Sequence, residues 1–325
     1  MAAPMKAIRF HQHGGPEVLR LDDVATPEPG AGEVRVRVEV AGVNFIDVYL
    51  RTGYYPSGPL PAVAGKEAAG TVEAVGPGVD ALAAGDRVAF WDAAGSYAEA
   101  VVIAAERAIP VPRDIDLSSA VALTLQGMTA HYLTQTIRPL ALGDRVLIHA
   151  AAGGVGLLAV QIAKISGAEV FGTCSTAEKA GRARKAGADH VILYTEQDFA
   201  DEVLRQTGGE GVDLVIDGVG KGTFTGSVRA ARTRGHVVLF GQASGEPDPI
   251  RPRQILGSRT LTCASLADYT RDRLEMLARA QAVFTWHRIG RLETAIDRVL
   301  PLAEAAEAHR LLEGRRTSGK LLLEP

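Results

Sequence analysis

Residues 146–156 read VLIHAAAGGVG and encode a strand that runs through a glycine-rich turn into a helix. Gly153 allows the backbone to approach a phosphate, and Gly156 allows the helix to pack closely on the strand. The helix N-terminus adds free N–H groups and the positive end of the helix dipole. Ala151 replaces the first glycine of the GxGxxG pattern, so this turn must tolerate a Cβ atom. The stretch predicts a dinucleotide pyrophosphate site formed by Ala152, Gly153, Gly154, Val155 and Gly156.

Six short apolar segments alternate with helical segments in the middle of the chain. The helical spacing is clearest at Leu158, Ala159 and Ile162, which share one face. Such alternation is typical of a doubly wound parallel sheet, so we predict an α/β Rossmann domain over residues 123–290. The predicted strands are residues 145–150, 169–173, 190–193, 212–217, 236–240 and 260–263.

The first third of the chain is predicted to be rich in β-strands. Residues 33–40 alternate four valines with charged residues, which is the period-two pattern of a half-buried strand. Further strands are expected at residues 70–75 and 86–90, between glycine-containing turns. Asp116 can then cap a helix that includes residues 120–133.

The C-terminal tail, residues 291–325, is too short to fold alone. We expect a helix at residues 303–312 and a final strand at residues 320–323. The tail is therefore predicted to return to the N-terminal domain, residues 1–122, and to complete it.

The composition of the 325 residues argues against several classes of protein. Hydrophobic residues make up 46% and charged residues 22%, and the formal net charge is -3, so no basic field favours nucleic acid or an anionic membrane. No apolar run reaches membrane-spanning length, and the N-terminus lacks a signal-peptide core, so we expect a cytoplasmic protein. Cys174 and Cys263 are too few for a disulfide framework or a four-cysteine zinc site, and both are expected to be buried.

The end of the second predicted strand indicates which cofactor binds. An NAD-binding sheet carries an acid there, which binds the ribose hydroxyls and repels a 2'-phosphate. This chain reads TCST at residues 173–176, and Ser175 stands about where the acid would be. Lys179 follows one turn into the next helix, and hydroxyls with a cation suit a phosphate dianion. NADPH is therefore the predicted cofactor, with Arg182 and Arg184 as alternative phosphate-binding cations.

Several separated motifs together resemble one protein family. They are HGGPEVL at 13–19, GVNFIDVY at 42–49, GDRV at 85–88, AAAGGVG at 150–156 and TSGK at 317–320. Over nearly its whole length the chain resembles the quinone oxidoreductases related to zeta-crystallin, within the medium-chain dehydrogenases and reductases. The resemblance implies a GroES-like, β-rich domain built from both chain ends and a Rossmann domain, with the nicotinamide in the cleft between them.

The same resemblance implies an enzyme without metal. Zinc dehydrogenases of the superfamily carry a ligating cysteine in the segment that is Asn44-Phe45 here, and a Gly-His-Glu motif whose histidine binds zinc. This chain has Gly65-Lys66-Glu67 in the second segment. Because the thiolate and imidazole ligands are missing and one carboxylate does not hold zinc, Lewis-acid activation of an alcohol is not expected.

Further site residues follow from the resemblance, one position at a time. Asn44 and Tyr49 are the catalytic candidates, which would shape the substrate pocket and donate hydrogen bonds to a developing oxyanion. Arg315, or its neighbour Arg316, is expected at the adenosine phosphate together with Tyr194. The residues expected near the nicotinamide and its ribose are Gln126, Thr129, Val219, Phe240, Gly241 and Gln242.

Reduction of a quinone by NADPH requires no enzyme nucleophile, because the nicotinamide carries the hydride chemistry. The resemblance thus implies an NADPH:quinone oxidoreductase, by hydride or by one-electron transfer. A sister activity would reduce the double bond of an enal, enone or enoyl thioester with the same cofactor. A third alternative, from another class, is a crystallin-like structural or RNA-binding protein for which NADPH is only a ligand.

The sixth predicted strand, residues 260–263, would form an edge of the open sheet. No proline or charge interrupts it, and its outer backbone groups would be unpaired. Pairing with the same strand of a second copy about a two-fold axis would satisfy those groups, so we predict a homodimer through this strand. A loop at residues 264–270 that covers the edge within one chain is the alternative.

Overall fold

The chain folds into two units, and the computed structural model describes residues 4–325. The first unit contains residues 4–125, 272–284 and 294–325. The second unit contains residues 126–271 and 285–293.

The strands, in chain order, are β1 Pro4–Phe10, β2 Leu19–Ala25, β3 Glu33–Val43, β4 Ala62–Val63, β5 Glu67–Val75, β6 Arg87–Trp91, β7 Ala100–Ala104, β8 Ile109–Pro110, β9 Arg145–Ile148, β10 Glu169–Cys174, β11 His190–Leu193, β12 Val212–Asp217, β13 Ala231–Leu239, β14 Thr260–Cys263, β15 Ile296–Pro301 and β16 Lys320–Glu324. The α-helices are α1 Phe45–Thr52, α2 Leu117–Ala122, α3 Met128–Gln135, α4 Gly154–Ile165, α5 Ala177–Lys185, α6 Phe199–Gln206, α7 Phe224–Ala230, α8 Arg273–Arg288 and α9 Ala305–Glu313. Within residues 4–325, none of the helices has the length and apolar composition needed to cross a membrane.

A mostly antiparallel sheet forms the framework of the first unit. Its strands follow the order β15-β16-β3-β5-β6-β8, and β7 pairs with β3. Val34, Val36 and Val38 of β3 are buried, as the period-two pattern predicts. β16 runs antiparallel to β3, with Leu322 opposite Gly42, so the C-terminal tail is part of the N-terminal sheet. A smaller sheet of β2, β1 and β4 accompanies it.

The second unit contains a parallel sheet with the order β11-β10-β9-β12-β13-β14. Leu147, Phe171 and Val215 at its centre are fully buried. All six predicted strands are present, and β13 begins at Ala231 rather than at residue 236. This order confirms the predicted doubly wound Rossmann sheet, in which ligands bind beyond the carboxyl ends of β9 and β12, where the strand order reverses.

The helix predicted to include residues 120–133 is interrupted. A π-helical turn at Leu123–Gly127 separates α2 from α3. The N–H of Leu125 donates to the Glu67 carboxylate at 2.6 Å, and the Thr124 hydroxyl donates to the carbonyl four residues earlier at 2.7 Å. Because both bonds compete with the α-helical ladder, the helix widens at this turn.

Residues 272–284 belong to the first unit, although the predicted boundaries assign them to the Rossmann domain. The Arg273 guanidinium explains their position. It donates to the carbonyl oxygens of Ala105 and Ala108 at 3.3 Å each, and to that of Glu106. One side chain that binds a distant turn produces no local sequence pattern.

The two cysteines lie in different environments. Cys174 ends β10 and is buried, as predicted, and burial raises the pKa of its thiol to about 11. Cys263 ends β14 and is exposed, so the prediction of burial was wrong for this residue. Its position on the outermost strand of the parallel sheet accounts for the difference.

Candidate functional site

The turn between β9 and α4 depends on small residues at fixed positions. Gly153 is the N-cap of α4, and its N–H donates to the carbonyl of Ala150 at 2.8 Å. A Cβ atom on Gly156 would lie 2.3 Å from the same carbonyl oxygen, so only glycine fits there. No side chain among the described residues caps α4, which leaves its first N–H groups available to an anion.

The strained residue of this turn is Ala150. Its φ of 49° lies in the left-handed region, which alanine adopts rarely. Ala151 is buried instead, and its N–H donates to the carbonyl of Thr173 at 3.0 Å. The Cβ atom that the turn must tolerate is therefore that of Ala150, whereas the sequence pattern pointed to Ala151. Backbone strain of this kind is concentrated at ligand sites.

Gln126 lies against the start of α4. A Cβ atom on Gly154 would lie 2.1 Å from the Oε1 atom of Gln126. This oxygen is buried and has no hydrogen-bond partner within residues 4–325. Thr129, in α3, is buried as well. The fold thus brings Gln126 and Gly154 together and leaves an amide oxygen available beside the glycine-rich turn.

A second group of predicted residues lies at the carboxyl ends of β10 and β11. Thr176 accepts a hydrogen bond from the Lys179 N–H at 3.3 Å, which places Lys179 in the first turn of α5. The Tyr194 N–H donates to the last carbonyl of β10 at 3.2 Å. The Thr195 hydroxyl, which the sequence analysis missed, donates to the carbonyl of Ser175 at 3.2 Å. Ser175, Lys179 and Tyr194 therefore share one edge of the sheet.

One cation at this edge, Arg182, forms an ion pair within its own helix. The Arg182 guanidinium donates to the Glu178 carboxylate at 3.1 Å, across one helical turn. That pair partly neutralises both groups, although an exposed pair of this kind is weak. Lys179, Arg184 and Arg182 therefore all remain candidates for binding a phosphate.

Asp217, at the end of β12, holds the loop that follows this strand. Its Oδ1 atom accepts hydrogen bonds from the N–H groups of Val219 at 2.9 Å and Gly220 at 3.1 Å. Its Oδ2 atom accepts from the Ser227 hydroxyl at 2.7 Å. The sequence analysis missed Asp217, because a single aspartate at a strand end carries no motif.

Ser227, His149 and Asp217 have the composition of a catalytic triad without its geometry. Ser227 gives its one hydroxyl hydrogen to Asp217, so His149 is not its base. The two ring nitrogens of His149 lie 3.0 Å from the hydroxyl oxygens of Ser227 and Thr173. Burial lowers the pKa of His149, against the charge of Asp217, and keeps the ring neutral. This buried network fixes the loop after β12.

The predicted residues after β12 and β13 are neighbours. The Phe240 N–H donates to the carbonyl of Asp217 at 2.9 Å, and the Phe240 ring packs over Gly218, where a Cβ atom would lie 2.6 Å from it. The Ser244 N–H donates to the carbonyl of Val219 at 2.8 Å. These contacts place the following residues at one end of the sheet: Val219, Phe240, Gly241 and Gln242.

Asn44, in the first unit, forms hydrogen bonds through both the nitrogen and the oxygen of its side-chain amide. Its Nδ2 atom donates to Glu67 Oε2 at 2.9 Å and to the carbonyl of Gly42 at 3.3 Å, which uses both amide hydrogens. Its Oδ1 atom accepts from Lys320 Nζ at 2.8 Å. The predicted donation from Asn44 to a substrate oxyanion is therefore not supported by this geometry. Asn44 acts as a positioning residue at the start of α1.

Lys320 and Glu67 form a fully buried ion pair. The Nζ and Oε2 atoms lie 2.5 Å apart, and the side chains are 1% and 0% exposed. The other Glu67 oxygen accepts the N–H of Leu125 at 2.6 Å. Removing one partner of such a pair leaves an uncompensated charge in a medium that solvates it poorly. Both residues stood in motifs of the sequence, but their pairing was missed.

The residues in the two zinc-ligand segments do not fit zinc. The cation between Asn44 and Glu67 is the ammonium group of Lys320, which cannot ligate a metal. Lys66 stands in the histidine position, and its ammonium group binds Asp92 at 3.1 Å. Within residues 4–325, no group of three or more His, Cys, Asp or Glu side chains is arranged to hold a metal ion.

Tyr49 belongs to an aromatic cluster on the segment around α1. Its ring centroid lies 5.6 Å from that of Tyr54 and 5.3 Å from that of Tyr55. Tyr54 and Tyr55 are 46% and 40% exposed, so the cluster presents aromatic surface to solvent. The sequence analysis singled out Tyr49 alone. Two adjacent tyrosines before Pro56 were the available signal for the other members.

Arg315 and Arg316 follow α9, and both are exposed. Arg315 has a left-handed backbone, with a φ of 56°, and its N–H donates to the carbonyl of Leu312 at 3.2 Å. Both arginines belong to the first unit, whereas Tyr194 belongs to the second.

Comparison with known proteins places this geometry among dehydrogenases. Residues 30–113 match the model of the alcohol dehydrogenase GroES-like domain, and residues 154–281 match that of the zinc-binding dehydrogenases. The chain is 42% identical over 323 residues to a quinone oxidoreductase of Pseudomonas aeruginosa, covering 98% of this chain and 99% of the relative. It is 43% identical over 325 residues to a 2-haloacrylate reductase of a Burkholderia species, covering 97% and 98%.

Solved structures of similar proteins superimpose closely on this chain. The quinone oxidoreductase of Escherichia coli complexed with NADPH superimposes with a TM-score of 0.96 at 38% identity, covering 98% of this chain and 100% of the other. A mycobacterial protein complexed with NADPH superimposes with a TM-score of 0.95 at 45% identity, covering 99% and 100%.

We predict that Lys320→Met lowers the free energy of unfolding by about 3–5 kcal/mol, because it leaves the Glu67 carboxylate buried and unpaired. Urea denaturation of the two proteins measures this difference. Lys6→Met is the matched control, since Lys6 pairs with Asp23 at an exposed site, and its effect should stay below about 1 kcal/mol. An equal loss of unfolding free energy in the two variants would show that the buried pair contributes no more than an exposed one.

Proposed function

This chain belongs to the quinone oxidoreductases of the medium-chain dehydrogenase/reductase superfamily, and from that premise we propose that it is a cytoplasmic enzyme that reduces quinones with NADPH. The observation that carries the proposal is the 42% identity to a quinone oxidoreductase over 98% of the chain. When bound, the nicotinamide supplies the hydride. The protein's part is to bind, to orient and to exclude water.

The choice of NADPH is supported by the edge of the sheet at β10 and β11. Residues 173–176 contain no acid that would repel a 2'-phosphate, and Glu178 is paired with Arg182. Ser175 and Lys179 offer a hydroxyl and a cation at the position where that phosphate would lie. NADH lacks the phosphate and gains nothing from the cation.

We assign roles to the other residues on the basis of their local geometry. The uncapped start of α4, with Ala152, Gly153 and Val155, binds the pyrophosphate. The loop that Asp217 fixes presents its backbone to the nicotinamide end of the cofactor. Tyr49 carries the hydroxyl that donates to the reduced substrate oxygen, and Asn44 holds the start of α1. The remaining members of the proposed site are Gln126, Thr129, Gly154, Gly156, Tyr194, Val219, Phe240, Gly241, Gln242 and Arg315.

A second candidate activity is reduction of an activated carbon–carbon double bond. The specific observation in its favour is the 43% identity to a 2-haloacrylate reductase. The same bound hydride donor serves both reactions, and only the substrate pocket differs.

Turnover with a panel of acceptors separates the candidates. We expect rapid oxidation of NADPH with 1,4-benzoquinone and 1,4-naphthoquinone, and much slower oxidation with 2-chloroacrylate or an enal. The measurement is the loss of NADPH absorbance at fixed enzyme concentration. Turnover confined to 2-chloroacrylate or the enal would replace the quinone proposal with the second candidate. Binding of NADPH without turnover of any acceptor would leave only a binding protein.

We predict that Lys179→Ala weakens NADPH binding roughly 10- to 100-fold, the equivalent of one charge-assisted hydrogen bond, and leaves NADH binding unchanged. Isothermal titration of both cofactors measures the selectivity. Lys185→Ala removes the same charge from the last turn of α5 and serves as the control. Equal affinity of the unmutated protein for NADPH and NADH would contradict the assignment.

We also propose a homodimer that forms through β14. Within residues 4–325 this strand pairs only with β13, and residues 264–270 add no strand to its other edge. Leu261 and Thr262 are half-buried, so the edge is partly apolar. Light scattering should show a dimer at micromolar concentration, and Leu261→Pro, which removes a ladder donor, should yield monomers or aggregates. A monomeric unmutated protein would refute this proposal.

A further inference from the structure

Asp47, in α1, is buried with its two carboxyl oxygens in different environments. Its Oδ2 atom accepts two hydrogen bonds, from the N–H of Asn44 at 2.9 Å and from the Tyr97 hydroxyl at 3.0 Å. Its Oδ1 atom is buried without a hydrogen-bond partner among residues 4–325. Leaving an ionised oxygen in this state is costly, because water is lost and nothing replaces it.

A chain of hydrogen bonds determines where a proton on Asp47 must sit. The Arg51 guanidinium has only donors, so the His309 Nδ1 atom, 3.0 Å away, accepts from it. His309 is neutral, since burial and the charge of Arg51 lower its pKa to about 3. Its remaining hydrogen is on Nε2, 3.3 Å from the Tyr97 oxygen, and the Tyr97 hydrogen then points to Asp47 Oδ2. A proton bound by Asp47 therefore sits on Oδ1.

A cavity of about 60 Å³ adjoins Asp47. Its walls include the apolar side chains of Phe10, Leu50 and Val63 and the polar residues Ser57 and Lys66. The volume is sufficient for about two water molecules, which need polar partners to remain there. Asp47 lines the cavity, and Oδ1 is its carboxyl oxygen without a hydrogen-bond partner among the described residues.

The cavity borders the segment proposed to face the substrate. Leu50, Pro56 and Ser57 line the cavity. Leu50 follows Tyr49 in the chain, and Pro56 and Ser57 follow Tyr55; the two tyrosines belong to the aromatic cluster. A backbone hydrogen bond from the Tyr55 N–H to the carbonyl of Tyr49, 3.1 Å long, joins the two parts of the segment. The cavity is therefore lined in part by residues that are adjacent in sequence to the proposed donor Tyr49 and to Tyr55.

We propose that Asp47, with water in this cavity, is the proton store for quinone reduction, an inference that rests on the proposed function. The hydride brings two electrons and one proton to the quinone, and the anionic oxygen that results needs a second proton. The Oδ1–H bond of Asp47 breaks as the proton passes to a cavity water, which releases one of its own protons towards that oxygen. The Asp47 carboxylate then recovers a proton from solvent.

The charges around Asp47 suit this role. Burial raises the pKa of its carboxyl from 3.8 to about 7, against the hydrogen bonds from Asn44 and Tyr97 and the charge of Lys320. Glu67 raises it further, while Lys320 pairs with Glu67. The two other cations nearby are paired as well, Arg51 with Glu313 and Lys66 with Asp92. A proton donor works best when its pKa lies near the working pH.

Asp47→Asn tests the proposal with little change in shape. The amide oxygen can accept both bonds that Oδ2 accepts, and the amide nitrogen takes the place of the protonated Oδ1, but it has no proton to give. We expect the kcat for quinones to fall about 100-fold, the scale of general acid catalysis, with little change in the KM for NADPH. The decline of kcat as pH rises through about 7, expected for the unmutated protein, should disappear.

Two further variants separate proton storage from structure. Tyr97→Phe removes a hydrogen bond that lowers the pKa of Asp47, so the midpoint of the kcat profile should move to higher pH. Asp23→Asn removes an exposed carboxylate that pairs with Lys6 and should leave the profile unchanged. A folded Asp47→Asn protein with the kcat and pH profile of the unmutated protein would overturn the proposal.

If Asp47→Asn does not fold, carbon-13 NMR of labelled aspartate in the unmutated protein decides the question. Titration of a buried carboxyl near neutral pH supports the proton store, and its absence overturns it. This measurement needs no turnover. If the protein fails to oxidise NADPH with every quinone tested, the proposed function is refuted. That result is separate from the titration of Asp47.

Discussion

The Glu67 carboxylate is buried, and several segments of the first unit are held in place by the donors that it requires. A charge removed from water must be compensated within the protein, and Glu67 receives the ammonium of Lys320, the amide of Asn44 and the N–H of Leu125. These donors come from the last strand, the start of α1 and the π-helical turn. One carboxylate thus fixes β5 relative to three segments that are distant in sequence.

In the second unit the buried Asp217 carboxylate is compensated in another way. Asp217 is stabilised by hydrogen bonds from backbone N–H groups and from the hydroxyls of Thr223 and Ser227. Backbone donors fix the path of the chain more directly than a flexible side chain does. The result is a loop held by several hydrogen bonds at the carboxyl end of β12, where open parallel sheets bind their ligands. In each unit a buried acid, Glu67 or Asp217, thus holds residues that are proposed to form the site.

Features with a local pattern were predictable from the sequence, and features that depend on distant residues were not. The valines of β3 and the glycine-rich turn before α4 have fixed spacings, so this strand and the turn between β9 and α4 were predicted closely. The pairing of Glu67 with Lys320 joins residues 253 positions apart and leaves no periodicity. Strand β15 was missed because Asp297 and Arg298 stand next to each other and interrupt any alternation of apolar and polar residues. The break between α2 and α3 was missed because Glu67 causes it.

The cation bonded to Asn44 and Glu67 is the ammonium group of Lys320, and we propose that the reaction proceeds without metal. The most direct test is elemental analysis and turnover on the same sample, before and after exhaustive treatment with a strong chelator. We expect no stoichiometric zinc in either sample and the same rate of NADPH oxidation by 1,4-naphthoquinone. Stoichiometric zinc that is lost together with this activity, and that restores it when added back, would contradict the account.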